Sequence, residues 1–447
     1  MHNMKKLILS VFTELLQSGL NGVEWVAYLW TYKSTRLQGE AALMPTMVDF
    51  PPIVKDAVDV LGDLLANEPE RRHVAEYLTG LMVAEKKTVS GINGAFVVTT
   101  DQACLNRWLN EVPWDVKALN DRRLEWLQGD PKTRYSPRGV IAIDNTLVDH
   151  AGKLIEDVGW FWDHAHERYV IAHDDMISNY VCPSGAPYPI AWRRFRKKDV
   201  CKQGECTDHT ELCIALVNDA SARGLPGDFT LDSYFTRAKV LNHLESSKRA
   251  YGGELQRNRQ LVYEGREQAL QQGARQIPWQ AKKPVRVGHR RDGYCRKQRR
   301  IPEVNHPVRM VLFWKERADA AARKALVSNR LLWEVMRMVW VYRHRWTGTE
   351  TFHRDGQQAL GLGDCQVRNG EGQTRHVYLV STAYSLRMRS LHQSRPQDWA
   401  RTRLTTIGEA CRAVKAETLA RMIDWVVDKL TVEHWSVTDI KAVLAYS

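Results

Sequence analysis

Apolar residues recur at helical spacing along most of the chain, and in a central stretch they alternate or run unbroken. This contrast divides the molecule before any residue is weighed for chemistry. Helical spacing fills KKLILSVFTELLQ, RRHVAEYLTGLMVAEKK and TTDQACLNRWL, where Thr100 is the predicted N-cap. Ser136-Pro137-Arg138-Gly139 is a turn cluster, and VIAID behind it is a β-branched run suited to a buried strand ending at Asp144. The period-two stretches KLIEDVGWFWDH and ERYVIAHDDMISNYVC predict two more strands. A helix over 208–223, a strand in FTLD ending at Asp232 and a helix in TRAKVLNHLES follow. Successive strands and then helix and strand in alternation predict a mixed sheet covered by helices. Farther on, VRMVLFW and KALVSN read as strands, and LLWEVMRMVWVYRHRW as a helix whose core face carries Leu332, Val335, Met336, Val339 and Trp340. Helical patterns continue in RHVYLVSTAYSLRMR, GEACRAVKAETLARMIDWVVDKL and TDIKAVLAY.

Composition agrees with a folded chain of several units, since 44% of the 447 residues are hydrophobic and 26% charged. MHNMKKLILSVFTELLQ starts like a signal peptide but meets Glu14 without a small-residue cleavage site, so it reads as a helix of the mature protein. No stretch approaches the ~18 uninterrupted apolar residues of a membrane span. The expected location is cytoplasmic, with the nucleoid when DNA is bound. Cys182, Cys201, Cys206 and Cys213 fall close together with His209 among them, but their spacing fits no standard zinc pattern. Cys213, inside LCIALV, reads as a small buried hydrophobe.

Charge changes the picture more. Net charge is +12, and residues 257–300 alone hold ten Arg and three Lys against Glu264, Glu267 and Asp292. A charged run is ordinarily a solvated loop, but Trp279 and Tyr294 are interleaved with these cations, and rings beside phosphate-binding cations suit unpaired nucleotides. The segment is therefore read as a DNA contact through Trp279, Lys282, Lys283, Arg290 and Arg291.

Three carboxylates carry the candidate chemistry. Asp144 and Asp232 each end an apolar strand, where an unpaired charge costs several kcal/mol unless a cation compensates. On neighbouring strands they would repel each other unless a divalent ion lay between them, and hard oxygen ligands select Mg²⁺ or Mn²⁺. Glu350, in YRHRWTGTETFHRDGQQ, is the third choice. If the helix continues through Gly348, then Trp346, Glu350, His353 and Gln357 share a face; if Gly348 breaks it, Thr349 becomes an N-cap. Asp149, Asp228 and Asp355 are nearby competitors. Each acid alone is more often a turn former or a solvated side chain. The order strand, strand, helix, with a basic insertion before the last, is what raises the odds.

VIAIDNTLVDHAGKLIEDVGWFWDH, GDFTLDSYF and YRHRWTGTETFHRDGQQALGLGDCQ resemble the three catalytic blocks of bacterial insertion-sequence DDE transposases, in the group with a Tyr-Arg-Glu-Lys signature. The resemblance covers about residues 90–390. It implies an RNase H-like mixed α/β sheet flanked by helices and interrupted by the basic insertion, with helical N- and C-terminal regions. It also implies that Asp144, Asp232 and Glu350 are catalytic and hold two Mg²⁺ or Mn²⁺ ions. Tyr342 and Arg345 match the signature, and with His353 and Gln357 they are expected to contact DNA. The signature Lys falls at Gln357, and the gap from Arg345 to Glu350 is one residue longer than usual. Some relatives use a Trp of the insertion to hold a flipped base. Trp279 and Trp314 are candidates here, Trp314 reading as core because it follows VRMVLF.

The expected organisation is an N-terminal helical domain over 1–135, with DNA-end binding as one role. A catalytic domain over 136–257 and 308–370 follows, interrupted by the insertion 258–307, and then a C-terminal helical region, 371–447, for dimerisation. Its apolar faces fit intramolecular core as well. The expected activity is cut-and-paste transposition: binding terminal inverted repeats, cleaving strands and joining them to target DNA as a homodimer, with no membrane partner. The alternatives are a structure-specific nuclease on the same fold and a non-catalytic DNA-binding protein.

Overall fold

The computed structural model describes residues 45–201, 206–263, 265–392 and 404–446. The helix expected in KKLILSVFTELLQ lies outside them. The first elements are helices α1 (Pro52–Leu61), α2 (Glu68–Val83), α3 (Val89–Asn93), α4 (Gln102–Asn110) and α5 (Val116–Gln128). The α4 cap is Asp101, whose carboxylate accepts from Ala103 N, rather than the expected Thr100. An aspartate one residue nearer the first turn does the same work with a full charge at the positive end of the helix.

The strands β1 (Val140–Asp149), β2 (Gly159–Asp163), β3 (Arg168–Val181) and β4 (Pro187–Phe195) come next. β1 does not stop at Asp144, because the 14-residue β3 pairs with it along its whole length, out to Asp149 opposite Ala172. α6 (His209–Ala222) starts from a reciprocal capping box between Asp208 and Glu211. β5 (Asp228–Leu231), α7 (Ala238–Ser246) and β6 (Tyr251–Glu254) follow. β1 and β5 are parallel, as are β5 and β6, while β3 runs antiparallel to β1 and to β4. This antiparallel-then-parallel sheet with helices on its faces is the RNase H-like arrangement.

The basic stretch folds as β structure rather than as an open loop. It contains the hairpin β7 (Gln260–Tyr263) and β8 (Arg266–Ala269), helix α8 (Leu270–Arg275), and the hairpin β9 (Lys283–Val287) and β10 (Arg290–Arg299). β11 (Val308–Trp314) and β12 (Lys324–Ser328) then carry the pairing back to β6. The result is one ten-stranded sheet in the order β2-β3-β1-β5-β6-β12-β11-β10-β9, with β4 beside β3.

Helix α9 (Val335–Arg345), a π-helical turn (Trp346–Glu350) and α10 (Thr351–Leu360) cross the sheet. The buried face of α9 is Val335, Met338, Val339 and Val341, and Leu332 and Met336 of the expected core face are exposed. Leu332 precedes the helix, so helical periodicity does not govern it. The C-terminal helices are α11 (Gly370–His392), α12 (Ile407–Thr431) and α13 (Val437–Tyr446). α11 is intramolecular core. Its His376 Nδ1 lies 2.9 Å from Tyr77 Oη on α2, and its Ser385 Oγ accepts at 2.7 Å from Arg123 of α5. The same guanidinium donates to Pro189 O on β4, tying the helical layer to the sheet through a buried charge. Among the described residues no helix is long and apolar enough to cross a membrane.

Candidate active site

The site forms where β1 loses its cover. Burial is unbroken from Val140 to Asp144 and then opens. Strand alternation sets Ala142 and Asp144 on the face covered by α9 and the π turn. The parallel register matches Ile143 with Leu231. The next residue on each side brings Asp232 beside Asp144. Asp232 also acts as a turn former: Oδ1 accepts from the backbone N–H groups of Tyr234 at 2.8 Å and Phe235 at 3.0 Å.

Glu350 arrives from the helical layer. The helix runs through Gly348 because that glycine lies flat on the sheet, where a Cβ would stand 2.8 Å from Ala142 Cβ and 3.0 Å from Val181 Cγ2. A π turn holds one residue more than an α turn. It brings Glu350, five residues on, back to the side on which Arg345 projects. Thr349 is not a cap; its hydroxyl lies 2.9 Å from Arg345 O and 3.3 Å from Asp144 Oδ2.

Arg345 holds the acids together. Its Nη1 is 2.5 Å from Asp144 Oδ2 and 3.6 Å from Glu350 Oε1. Burial pushes the Asp144 carboxyl up to about 7, with the charges of Asp232 and Glu350 adding to burial and Arg345 opposing it. Burial likewise raises Asp232 above the ordinary carboxylate range, against the pull of the Phe235 N–H and of Arg345. Burial opposes the charge on Arg345, but Asp144, Tyr342 and Asp232 outweigh it and hold the guanidinium above its usual value.

Among the described residues no three His, Cys, Asp or Glu side chains stand close enough to hold a metal ion as they are placed. Arg345 occupies the space between Asp144 and Glu350. The donor chemistry nonetheless fits a hard divalent cation. It consists of carboxylate oxygens whose mutual repulsion one guanidinium leaves partly uncompensated.

The competing aspartates are engaged elsewhere. Asp228 pairs with Arg337, Asp355 with Arg354 at 3.0 Å, and Asp149 with Arg168 at 3.5 Å. The cysteine group is dispersed: Cys182 donates to Thr133 O, Cys213 is buried, Cys201 and Cys206 pair with each other, and His209 turns to Asp174.

Several residues around the acids were missed in the sequence. Glu254 at the end of β6 is a further strand-end carboxylate, which takes the Tyr342 hydroxyl and Lys324 Nζ at 2.9 Å and adds negative charge near Asp232. The only signal was a Glu closing the short run YGGE, and nothing in the sequence said that β6 pairs beside β5. Asp174 bonds Asn145 at 2.8 Å and His209 at 2.7 Å. These three residues, Tyr234, Glu350 and Gln357 line one cleft of about 1050 Å³.

The residues expected to touch DNA separate into groups. Tyr342 and Arg345 face the acids, and His353 is buried under the cleft, its pKa lowered to about 4 by burial and by Arg345. Gln357 donates to Leu147 O at 3.0 Å. Trp279, Lys283, Arg290 and Arg291 are exposed. Lys282 is the exception: it is 2% exposed, donates at 2.5 Å to Asp319 O and lies over the Trp314 ring, so it is a packing residue, not a solvent-facing cation. Trp314 is fully buried, as expected of core.

Residues 60–294, just over half of the chain, match the family model described as DDE superfamily endonuclease. No curated protein matches the chain. The match takes in β1 and β5, which carry Asp144 and, one residue beyond β5, Asp232, and on this evidence the chain belongs to the DDE superfamily endonucleases.

Proposed function

We propose that this endonuclease is a DNA transposase, which binds the terminal inverted repeats of an insertion sequence, cleaves the strands and transfers them to target DNA. The observation that carries the reading is the convergence of Asp144, Asp232 and Glu350 around Arg345, with the π turn bringing Glu350 back to the side on which Arg345 projects. Asp144, Asp232 and Glu350 would hold two Mg²⁺ or Mn²⁺ ions, which when bound activate the attacking oxygen and stabilise the leaving one. In this scheme the protein's own groups orient and exclude. Arg345 opposes the burial that disfavours charge on Asp144 and offers its remaining N–H groups to a phosphate. Tyr342, bound to Glu254, fixes the wall beside Asp232.

The hairpin β9–β10 supports a DNA partner. Arg286 and Arg291 stand directly opposite one another, an arrangement that is unfavourable unless an anion lies over it. Strand transfer needs two ends in one complex, so the working form is a homodimer on DNA. The experiment incubates the protein with DNA bearing the element's ends, a target plasmid and Mg²⁺ or Mn²⁺. Joined products are expected, and Asp144→Ala, Asp232→Ala and Glu350→Ala abolish them while end binding persists. Cleavage without joining overturns transposition in favour of a structure-specific nuclease, and binding without cleavage leaves a DNA-binding protein.

A further inference from the structure

β2 is the outermost strand beside β3, in the register Trp160 opposite Ile171, Phe161 opposite Val170 and Trp162 opposite Tyr169. Alternation sends Phe161 and Val170 to one face, where they are buried with Ala172. Trp160, Trp162 and Tyr169 therefore share the opposite face, and they are 53%, 41% and 64% exposed. Trp162 and Tyr169 meet edge to face, with ring centroids 5.1 Å apart. The pair makes a corner: a flat ring laid on one of them abuts the edge of the other. An exposed aromatic edge strand is a liability that a protein retains where something occupies it.

What occupies it follows from position and charge. Trp162, His164 and His166 line the 1050 Å³ cleft together with Glu350 and Gln357. Trp162 thus joins the platform to the cleft that Glu350 lines. From Lys153 to Tyr169 there are two cations and four carboxylates, whereas residues 257–300 carry nearly the whole net charge. Duplex phosphates are drawn to the insertion, and the β2–β3 hairpin offers π-faces instead. A base can lie on such a face once it has left its partner and its stack.

We propose that the β2–β3 hairpin is a stacking platform for an unpaired nucleotide of the DNA strand lying in the catalytic cleft, with the Trp162–Tyr169 corner taking the base and Trp160 extending the platform. The inference rests on DNA being the substrate. The test uses the full chain without divalent metal and two DNAs of one sequence, one fully paired and one ending in a short single strand carrying 2-aminopurine. Wild-type protein is expected to quench the probe. Trp162→Ala and Tyr169→Ala should each lose the quenching and weaken affinity for the overhang by about 5- to 100-fold, leaving the paired DNA within about twofold. Trp162→Phe, which keeps a ring, should retain most of the quenching. Equal binding of both DNAs by wild type and alanine variants overturns the platform. Loss of a concentration-dependent dimer in sedimentation, with overhang binding intact, overturns it too and makes the face a contact between copies. Failure of wild type to bind either DNA is a different result, and it sinks the DNA reading itself.

Discussion

Gly348→Ala probes how Glu350 is held. In an ordinary helix interior the exchange stabilises by about 1 kcal/mol. Here the new methyl would start 2.8 Å from Ala142 Cβ and 3.0 Å from Val181 Cγ2. Relaxed carbon contacts lie near 3.5–4.0 Å, so the π turn must retreat from the sheet by about 1 Å. Overpacking of that size costs about 1–3 kcal/mol, which offsets or exceeds the propensity gain. Function should respond more strongly than stability. Glu350 is two residues away on the same rigid turn, and a displacement of about 1 Å at a reacting group is worth roughly 10²-fold in rate. The assay is metal-dependent strand cleavage beside urea unfolding: a stability loss of about 0–2 kcal/mol is expected together with cleavage reduced by about two orders of magnitude. Ala142→Gly added to the same protein removes one of the two clashing atoms and should restore much of the rate, a coupling that independent sites would lack. A Gly348→Ala protein that is more stable by about 1 kcal/mol and cleaves normally would refute the close-approach argument.

Other perturbations test the electrostatics. Arg345→Ala removes the ion-pair partner that a buried Asp144 has among the described residues and should cost about 3 kcal/mol at pH 8 without metal. The Asp144 pKa is raised, so the stability it lends is present at low pH and lost as pH rises through about 7. The variant should therefore regain stability on acidification or on adding Mn²⁺, and a deficit independent of both would be inconsistent with this account. His150, His173, His353 and His376 behave oppositely: burial lowers their pKa values to about 3 for the first and about 4 for the others. Their contribution is complete above the unfolded value near 6.5 and is lost as pH falls toward about 4, so urea midpoints should drop between pH 7 and 4.5; a flat profile would mean these rings charge without penalty. Arg290→Ala with Arg291→Ala should weaken DNA binding and flatten the dependence of log Kd on log salt by about two ions. An unchanged slope would leave the hairpin a solvated charged surface without a part in DNA binding.

Helices and strands were legible where the patterned segment was long, as in α2, β3 and α11, even though the fold buries these three on nearly every side. The pattern failed where neighbours rather than the segment decide. β1 runs past Asp144 because β3 is long enough to pair with it, and Leu332 is exposed because the helix starts after it. Lys282 looked like a DNA contact because charge is visible in a sequence, whereas the Trp314 ring and the Asp319 carbonyl that claim it are not.

The sequence by itself singled out Asp144 and Asp232, since an apolar run ending in a carboxylate is a local feature with a calculable cost, although β1 continues past Asp144. It also determined the basic insertion. Tertiary structure alone decided the rest of the site: that β5 lies parallel to β1 so that Asp232 meets Asp144, that Glu254 borders them from β6, and that Gly348 presses a π turn onto Ala142 to deliver Glu350. These are contacts between segments roughly 20 to 200 residues apart along the chain, set by register and close packing, which no local pattern encodes.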